Sequence, residues 1–176
     1  MKKATIATDG KKGSGEAKAA AEDRKWMARA IALSEKGMRS GQGGPFGALI
    51  VKDGKLIAGG CNQVLASGDP TAHAEITAIR AACRSLGSFL LAGCDLFTTC
   101  EPCPMCLGAA YWARVDRIVY ANSRRDAAAI GFSDALIYSE LARPLAGRRL
   151  PMVRIMRKEA LPAFREWAVK ADKTNY

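Results

Sequence analysis

The residues with the clearest chemical potential are one histidine, one glutamate and two cysteines. His73 is the only histidine of the 176-residue chain, and Glu75 follows it by two positions. Cys103 and Cys106 stand further along the chain in a Pro-Cys-Pro-Met-Cys stretch. Imidazole nitrogen and thiolate sulfur are zinc ligands, and a catalytic zinc has three protein ligands and keeps one position for water. The sequence therefore predicts one Zn²⁺ per chain, held by His73, Cys103 and Cys106.

Glu75 is placed for a different task from that of the three ligands. A carboxylate beside such a site can take a proton from the activated water and return it to a substrate nitrogen. His-x-Glu followed by Pro-Cys-x-x-Cys is the arrangement of zinc-dependent nucleobase deaminases. We therefore expect a hydrolytic deaminase in which Glu75 is the catalytic proton shuttle.

Other interpretations of the cysteine pair stay open on the residues alone. A structural zinc needs a fourth ligand, and Cys100 is the candidate, although it ends a predicted strand. A redox pair expects a thioredoxin-like context, which is absent. The third alternative is a non-catalytic zinc-binding protein, and the carboxylate at position 75 argues against it because a structural zinc site does not need one. The remaining cysteines have apolar neighbours and are expected in the core: Cys61, Cys83 and Cys94.

Composition and charge indicate which classes of binding partner to expect. Apolar residues make up 49% of the chain and the net charge is +10. The basic residues concentrate near the N-terminus and in the last third, without the interleaved aromatics of a single-strand binding surface. No apolar run approaches the roughly 20 residues that a membrane span requires. We expect a small-molecule partner, no nucleic acid, no membrane and a cytoplasmic location.

Hydrophobic periodicity and turn residues divide the chain into alternating elements. Asp53-Gly54 is a strong hairpin signal between two apolar stretches. The predicted strands are residues 46–52, 55–62, 95–99, 117–122 and 153–156. The predicted helices are residues 23–37, 71–86, 103–112, 126–130, 134–141 and 161–171.

This order predicts an α/β fold, a three-layer α/β/α domain with a central mixed five-stranded sheet. Residues 1–22 are rich in Lys, Gly, Ala and Ser and are expected to form a disordered basic tail, or a weak helix late in the stretch. The deaminase domain is expected to span residues 23–176.

The chain resembles the cytidine-deaminase-like superfamily from about residue 26 to the end, and within it the small bacterial zinc-dependent guanine deaminases. The zinc motif is common to the superfamily, whereas YWAR, Asp134 and the terminal Tyr176 point to the guanine branch. The stretches that carry the resemblance are GPFGA at 44–48, DPTAHAE at 69–75, CEPCPMCLGA at 100–109, YWAR at 111–114 and GFSD at 131–134. Ser133 departs from the resemblance, since this family also has acidic residues at that position.

The resemblance implies the conversion of guanine and water to xanthine and ammonia, by a hydrolase acting on a C–N bond of a cyclic amidine. Activated water would add to C2 of the purine, and Glu75 would protonate the neighbouring ring nitrogen and then the departing amine. The substrate-binding residues it implies are Asn62, Asp134, Phe46, Phe132, Trp112, Tyr176 and the backbone of Ala74. From the residues alone, Asn62 could instead satisfy a turn and Asp134 could cap the next helix.

The resemblance also implies a homodimer. Such relatives exchange a C-terminal segment, here about residues 143–176, and the terminal aromatic then closes a site. Tyr176 is the candidate for that closing residue. The substrate alternatives that remain are guanosine, ammeline or cytosine, and the adenosine of a tRNA.

Overall fold

The computed structural model of the chain describes residues 10–175, with side chains from residue 16 onward. The helices are α1 Gly10–Arg39, α2 Val64–Ser67, α3 Ala74–Leu86, α4 Pro104–Ala113, α5 Arg124–Ala129, α6 Ala135–Leu141 and α7 Arg157–Val169, with a short 3-10 helix at Leu145–Gly147. The strands are β1 Gly47–Lys52, β2 Lys55–Cys61, β3 Cys94–Cys100 and β4 Arg117–Asn122.

The strands form one mixed sheet in the order β2-β1-β3-β4. β1 runs antiparallel to both β2 and β3, whereas β3 and β4 are parallel. The β1–β2 hairpin turns at Asp53 and Gly54, where both φ angles are positive, at 49° and 67°. The parallel pair needs a crossover, and α4 supplies it. The predicted mixed sheet is confirmed.

Both faces of the sheet are buried, because successive side chains of a strand point to opposite faces. On β1, Ala48 and Ile50 belong to the core that packs against α3 and α4. Leu49 and Val51 belong to the second core, which contains Trp26 of α1. Helices therefore cover both faces, and the predicted three-layer α/β/α arrangement is confirmed.

The chain segments that carry the predicted chemistry lie together at one end of the strands. Gly47 at the start of β1 pairs with Cys61 at the end of β2, so Asn62 N donates to Phe46 O at 2.9 Å. On the other side of β1, Cys100 ends β3 and lies opposite Asn122 of β4. The segments that continue from these strand ends therefore lie side by side.

The N-terminal segment differs from the prediction where the structure describes it. Helix α1 begins at Gly10, whereas the predicted disordered tail extended to residue 22. Residues 16–22 read Glu-Ala-Lys-Ala-Ala-Ala-Glu, which are strong helix formers, and their side chains are exposed. High helix propensity thus extends the helix beyond Trp26, its first buried residue. The part of the prediction that concerns residues 1–9 lies outside the described residues.

The predicted fifth strand is wrong within a single chain. Residues 151–156 form neither helix nor strand, and Val153 is 82% exposed. A strand needs a neighbour for its backbone hydrogen bonds, and no strand of the described chain pairs with this segment. The sheet therefore has four strands among residues 10–175.

Helix boundaries also differ, in ways that matter for the site. Helix α3 begins at Ala74 and α4 at Pro104, so His73 and Cys103 lie just before their helices. The expected terminal helix begins earlier, at Arg157, and contains Pro162. Within residues 10–175, none of the helices combines the length and the apolar character that crossing a bilayer requires.

Candidate metal centre and active site

Two helix starts position the three predicted ligands. His73 is the N-cap residue of α3 and Cys103 is that of α4, both with extended backbone angles. Neither side chain makes a capping hydrogen bond, which frees both side chains to point toward each other. Cys106 lies in the first turn of α4, where Pro104 is tolerated because a first-turn N–H has no intrahelical acceptor. The positive ends of both helix dipoles meet here and favour thiolates.

The distances in this cluster fit a zinc ion. His73 Nδ1 lies 3.6 Å from Cys103 Sγ and 3.5 Å from Cys106 Sγ. Tetrahedral zinc with ordinary Zn–S and Zn–N bonds would separate nitrogen from sulfur by about 3.6 Å. Among the described residues, the metal-binding group comprises these three side chains. One tetrahedral position therefore remains for water or substrate.

The three side chains of the cluster also share protons through hydrogen bonds. A hydrogen bond from the Cys106 thiol, followed by one from His73, lowers the pKa of Cys103 to about 4. The same bond to Cys103, together with burial, raises the pKa of Cys106, which keeps its proton. Hydrogen bonding to Cys103 raises the pKa of His73. A divalent cation would displace the protons that these side chains share.

Cys100 does not join the metal cluster. Its thiol contacts the carbonyl oxygen of Ser123 at 3.6 Å, and burial raises its pKa to about 11. Its sulfur is not among the ligand atoms that lie together in the metal cluster, which come from His73, Cys103 and Cys106. The arrangement therefore favours three protein ligands over a four-ligand structural site.

Glu75 lies beside the cluster on the first turn of α3. The side chain is buried, and its Oε2 is 3.5 Å from Cys106 Sγ. Oε1 accepts a hydrogen bond from Thr98 Oγ1 at 3.2 Å, which fixes the plane of the carboxyl group. Burial raises the pKa of Glu75. The carboxyl group is thus oriented by one oxygen and presents the other to the metal site.

A cavity of about 570 Å³ opens over the cluster. His73, Glu75 and Cys103 form part of its floor, and Phe46, Asn62 and Phe132 are among the residues of its walls. Its volume lies in the range of sites for small organic ligands, roughly 300–1,000 Å³. The predicted metal site and most of the predicted substrate residues therefore lie in one cavity, at the end of the strands described above.

Phe46 and Phe132 meet edge to face in the cavity wall. Their ring centroids are 5.0 Å apart and the rings are inclined at 89°. Asn62 is buried at the wall, and its Oδ1 accepts from Val64 N at 3.2 Å. Asn62 therefore makes the turn contact that its position suggested, and this contact also fixes its amide beside the cavity.

Asp134 lines the cavity and immediately precedes α6. Its side chain makes no capping hydrogen bond with that helix, so the helix-cap interpretation is not supported. Burial raises the pKa of Asp134, and the nearby Cys103 thiolate acts in the same direction, whereas Arg124 opposes it. The carboxylate is therefore available to a ligand in the cavity.

Three predicted substrate residues are not found in the wall. Trp112 is 66% exposed and does not line the cavity, because it lies eight residues along α4 from Pro104, about 12 Å from the metal end of the helix. The structure of the single chain does not place it in the base pocket, and its assignment there stays a prediction. Ala74 is buried and does not line the cavity, although it connects His73 to Glu75. Tyr176 lies outside the described residues.

Sequence reasoning missed two residues of the site. Thr98 orients Glu75, and the alternation of β3 could have placed it on the same face as buried Leu96. Arg124 lines the cavity and lies over the Tyr138 ring, with its guanidinium carbon 4.7 Å from the ring centroid. No local pattern predicts this contact, since it joins two separate helices.

Comparison with known proteins identifies the same region of the chain. The family described as the cytidine and deoxycytidylate deaminase zinc-binding region matches residues 20–122. A guanine deaminase of Bacillus subtilis is 50% identical over 151 residues, which cover 86% of this chain and 97% of that protein. A tRNA-specific adenosine deaminase of Aquifex aeolicus is 46% identical over 77 residues, covering 44% of this chain and 51% of that protein.

Solved structures of guanine deaminases are also similar to this chain. The X-ray structure of guanine deaminase from Bacillus subtilis superposes with a TM-score of 0.84 and covers 87% of this chain and 98% of its own, at 50% identity. A guanine deaminase from Nitrosomonas europaea superposes with a TM-score of 0.60 at 35% identity, covering 62% of this chain and 64% of its own. The similarity to the first protein therefore extends beyond the zinc-binding region into the C-terminal part.

Proposed function

The chain belongs to the cytidine and deoxycytidylate deaminase family, and we propose that it removes the amino group of guanine by hydrolysis, giving xanthine and ammonia. Zinc is the cofactor of this family, and the His73, Cys103 and Cys106 cluster fits one ion per chain. The position of Glu75 supports hydrolysis, because its carboxyl group lies beside the ligands without being one of them. Similarity to a guanine deaminase over 97% of its length supports the substrate.

Zinc bound by the three ligands supplies a Lewis acid, which lowers the pKa of a water molecule to about 7. Glu75 Oε2 lies 3.5 Å from the Cys106 ligand atom, where it would accept a proton from the attacking water. Glu75 then delivers this proton to the ring nitrogen beside C2 as the water oxygen bonds to C2. It passes the second proton of that oxygen to the amino group, whose bond to C2 breaks as ammonia leaves. Thr98 holds Oε1 throughout, so the shuttle needs no large rotation.

The cavity walls suit a flat, polar-edged base. Phe46 and Phe132 offer an apolar surface for the ring faces, and burial at such a surface is favourable. Asn62 can donate from its amide nitrogen to an acceptor on the purine, and Asp134 can accept from an N–H group. Guanine carries both kinds of group on its edges, which supports it as the ligand.

We further propose that the protein acts as a homodimer that exchanges its C-terminal segment. Large apolar side chains are exposed throughout the segment: Leu145, Leu150, Met152, Val153, Ile155, Met156, Phe164 and Val169. Monomeric proteins rarely expose large contiguous apolar patches, so this number of exposed apolar side chains in one segment favours a covering partner. The outer edge of β4 is exposed, and a second copy could pair residues 153–156 with it as the fifth strand. Tyr176 is then a candidate to close the partner's cavity.

A cytoplasmic location is also part of the proposal. All six cysteines are free thiols, and the metal site needs two of them reduced. The cytoplasm keeps thiols reduced, whereas secreted proteins tend to form disulfides.

The test is ammonia release by zinc-loaded protein from a panel of guanine, guanosine, ammeline, cytosine, adenine and a tRNA anticodon stem. We expect release from guanine, and a fall in kcat of about 10²–10⁴-fold in Glu75→Gln, because general acid–base catalysis contributes that much. Glu35→Gln is the matched control: Glu35 is a half-buried residue of α1 that pairs with Arg39 and does not line the cavity, so this change should leave kcat unchanged.

Zinc content, measured on each variant by mass spectrometry, separates loss of the shuttle from loss of the metal. Glu75→Gln should keep one zinc per chain. Release from the tRNA stem alone would replace guanine with adenosine in RNA, an alternative that the net charge of +10 favours. Full activity of Glu75→Gln would disprove the proton-shuttle role.

A further inference from the structure

We propose that Gly44 is a positioning residue for the substrate, because its missing side chain lets the Phe132 ring lie against Phe46 and close the cavity wall. The inference rests on the proposed function for the identity of the ligand, and it adds a residue that touches neither the metal nor the reacting atoms. The same wall carries Phe132, which we have assigned to the purine faces.

The space at Gly44 is already filled by the two aromatic rings. A Cβ atom built on Gly44 would lie 2.8 Å from Phe132 Cζ and 3.0 Å from Phe46 Cε2. Both distances are shorter than ordinary carbon–carbon contacts of about 3.5–4.0 Å. The rings meet edge to face at 5.0 Å only because position 44 carries no side chain.

The Phe132 ring, rather than its backbone, would yield to a side chain at position 44. Phe132 N donates to Ala127 O at 3.0 Å, and Gly131 before it has a φ of 95°, which favours glycine. These features hold the loop on α5. Phe132 as a whole is 48% exposed, so its side chain has room to rotate about its own bonds. A methyl group at position 44 would therefore change the cavity wall while leaving the fold intact.

The neighbouring Gly43 differs from Gly44 in what an added side chain would meet. A Cβ there would lie 2.0 Å from Asn62 Oδ1 and 2.8 Å from the Asn62 backbone oxygen. The backbone cannot move aside as a ring tip can, so Gly43→Ala would disturb the chain itself. Gly44 is the position at which the cavity can be altered separately from the fold.

The experiment compares Gly44→Ala, Phe132→Leu and the double variant, all zinc-loaded, in steady-state deamination of guanine. We expect Gly44→Ala to raise KM by about 10-fold or more with a smaller change in kcat, because a misplaced wall loosens substrate positioning. Leucine lacks the ring tip that meets the new methyl group. The double variant should therefore have a KM no higher than Phe132→Leu alone.

Gly108→Ala is the matched control, since a Cβ at Gly108 meets nothing within 4 Å and should leave KM unchanged. Independent, multiplying effects of Gly44→Ala and Phe132→Leu would overturn the proposal, as would a wild-type KM in Gly44→Ala.

A crystal structure of Gly44→Ala tests the inference without any turnover. We expect the Phe46–Phe132 centroid distance to exceed the 5.0 Å of the parent chain. An unchanged distance would overturn the proposal even if guanine is the substrate. Conversely, a displaced ring together with no release of ammonia from guanine by the parent chain would refute the proposed function and leave the role of Gly44 standing.

Discussion

At the scale of single residues, the site depends on one hydroxyl group that carries out no chemistry itself. Thr98 is fully buried in β3 and donates to Glu75 Oε1 at 3.2 Å. An unoriented carboxylate would have to be ordered at each turnover, at a cost to the rate. We therefore propose that Thr98 is a positioning residue, which sets the orientation of the Glu75 carboxyl group through this hydrogen bond.

Thr98→Val removes this hydroxyl while keeping the shape of the side chain. We expect kcat for guanine to fall by about 10- to 100-fold with little change in KM, as for other groups that orient a metal-site residue. In a Glu75→Gln background, Thr98→Val should cause no further loss. The measurement is steady-state kinetics of the two single variants and the double variant.

Thr99→Val is the control for the loss of a buried hydroxyl. Thr99 Oγ1 accepts from Gly47 N at 3.0 Å, away from Glu75. We expect Thr99→Val to lower stability and leave kcat unchanged. Equal effects of the two variants on kcat would mean that Thr98 acts only through the fold.

At the scale of elements, helix α5 holds one side of the cavity through its first turn. Ser123 Oγ accepts from Asp126 N, and the Asp126 carboxylate accepts in return from Ser123 N at 2.8 Å, a complete capping box. The hydrogen bonds from Ser123 lower the pKa of Asp126. Since α5 carries Arg124 and Ala127 into the cavity, this local motif fixes a wall of the site.

The capping box predicts a pH-dependent stability difference. Ser123→Ala should lower Tm at pH 7 by about 2–4 °C, the usual effect of losing an N-cap in a domain of this size. The pKa of Asp126 in the folded state is lower than its value of about 3.9 in the unfolded chain. The ionised Asp126 therefore stabilises the folded state fully above about pH 3.9, and this stabilisation is lost as the pH falls through the lowered pKa. The difference in Tm from the parent chain should therefore shrink below about pH 4.

Calorimetry of Ser123→Ala and Ser139→Ala across this pH range makes the measurement. Ser139 donates to Leu136 O on exposed α6, with no carboxylate involved, so its effect should not depend on pH in the same way. An offset for Ser123→Ala that stays constant down to pH 3 would exclude the capping carboxylate as its source.

At the scale of the whole molecule, the C-terminal third differs from the rest. Residues up to Asn122 form a sheet with a core on each face, whereas α7 has no buried residue. An amphipathic helix of this kind gains stability mainly from packing its apolar side against another surface. A second copy of the chain provides such a surface in the proposed exchanged dimer.

Subunit complementation tests the exchange. Glu75→Gln lacks the proton shuttle, and Tyr176→Ala lacks the proposed closing residue. When the two chains are co-expressed, an exchanged heterodimer contains one site with the native residue at both positions. We expect the mixture to recover activity at about a quarter of its sites, given random pairing of equal amounts. Sedimentation should give twice the 18.8 kDa of one chain.

The control is the same pair purified separately and mixed without exchange of subunits, which should stay at the level of the two parents. A co-expressed mixture without recovered activity would place Tyr176 in its own chain's site, if it acts at all. A monomer in sedimentation at micromolar concentration would rule out the dimer.

Much of the fold could be predicted because its signals are local. The Asp53-Gly54 turn and the alternation in β1 need only neighbouring residues, and they predicted the hairpin and a sheet covered on both faces. The start of α1 and the fifth strand were mispredicted for opposite reasons. Helix propensity alone extended α1 into the basic segment, whereas residues 153–156 have strand-forming side chains and no strand beside them among residues 10–175.

The sequence by itself predicted the cluster of metal ligands and the proposed proton shuttle, since His73-x-Glu75 and Cys103-x-x-Cys106 are short motifs whose spacing limits the chemistry. Only the tertiary structure decided that Asp134 makes no cap, that Trp112 lies away from the cavity, and that Thr98 and Gly44 belong to the site. The physical reason is that contacts between distant segments depend on where strands end and how side chains fill space, which no single stretch of residues encodes.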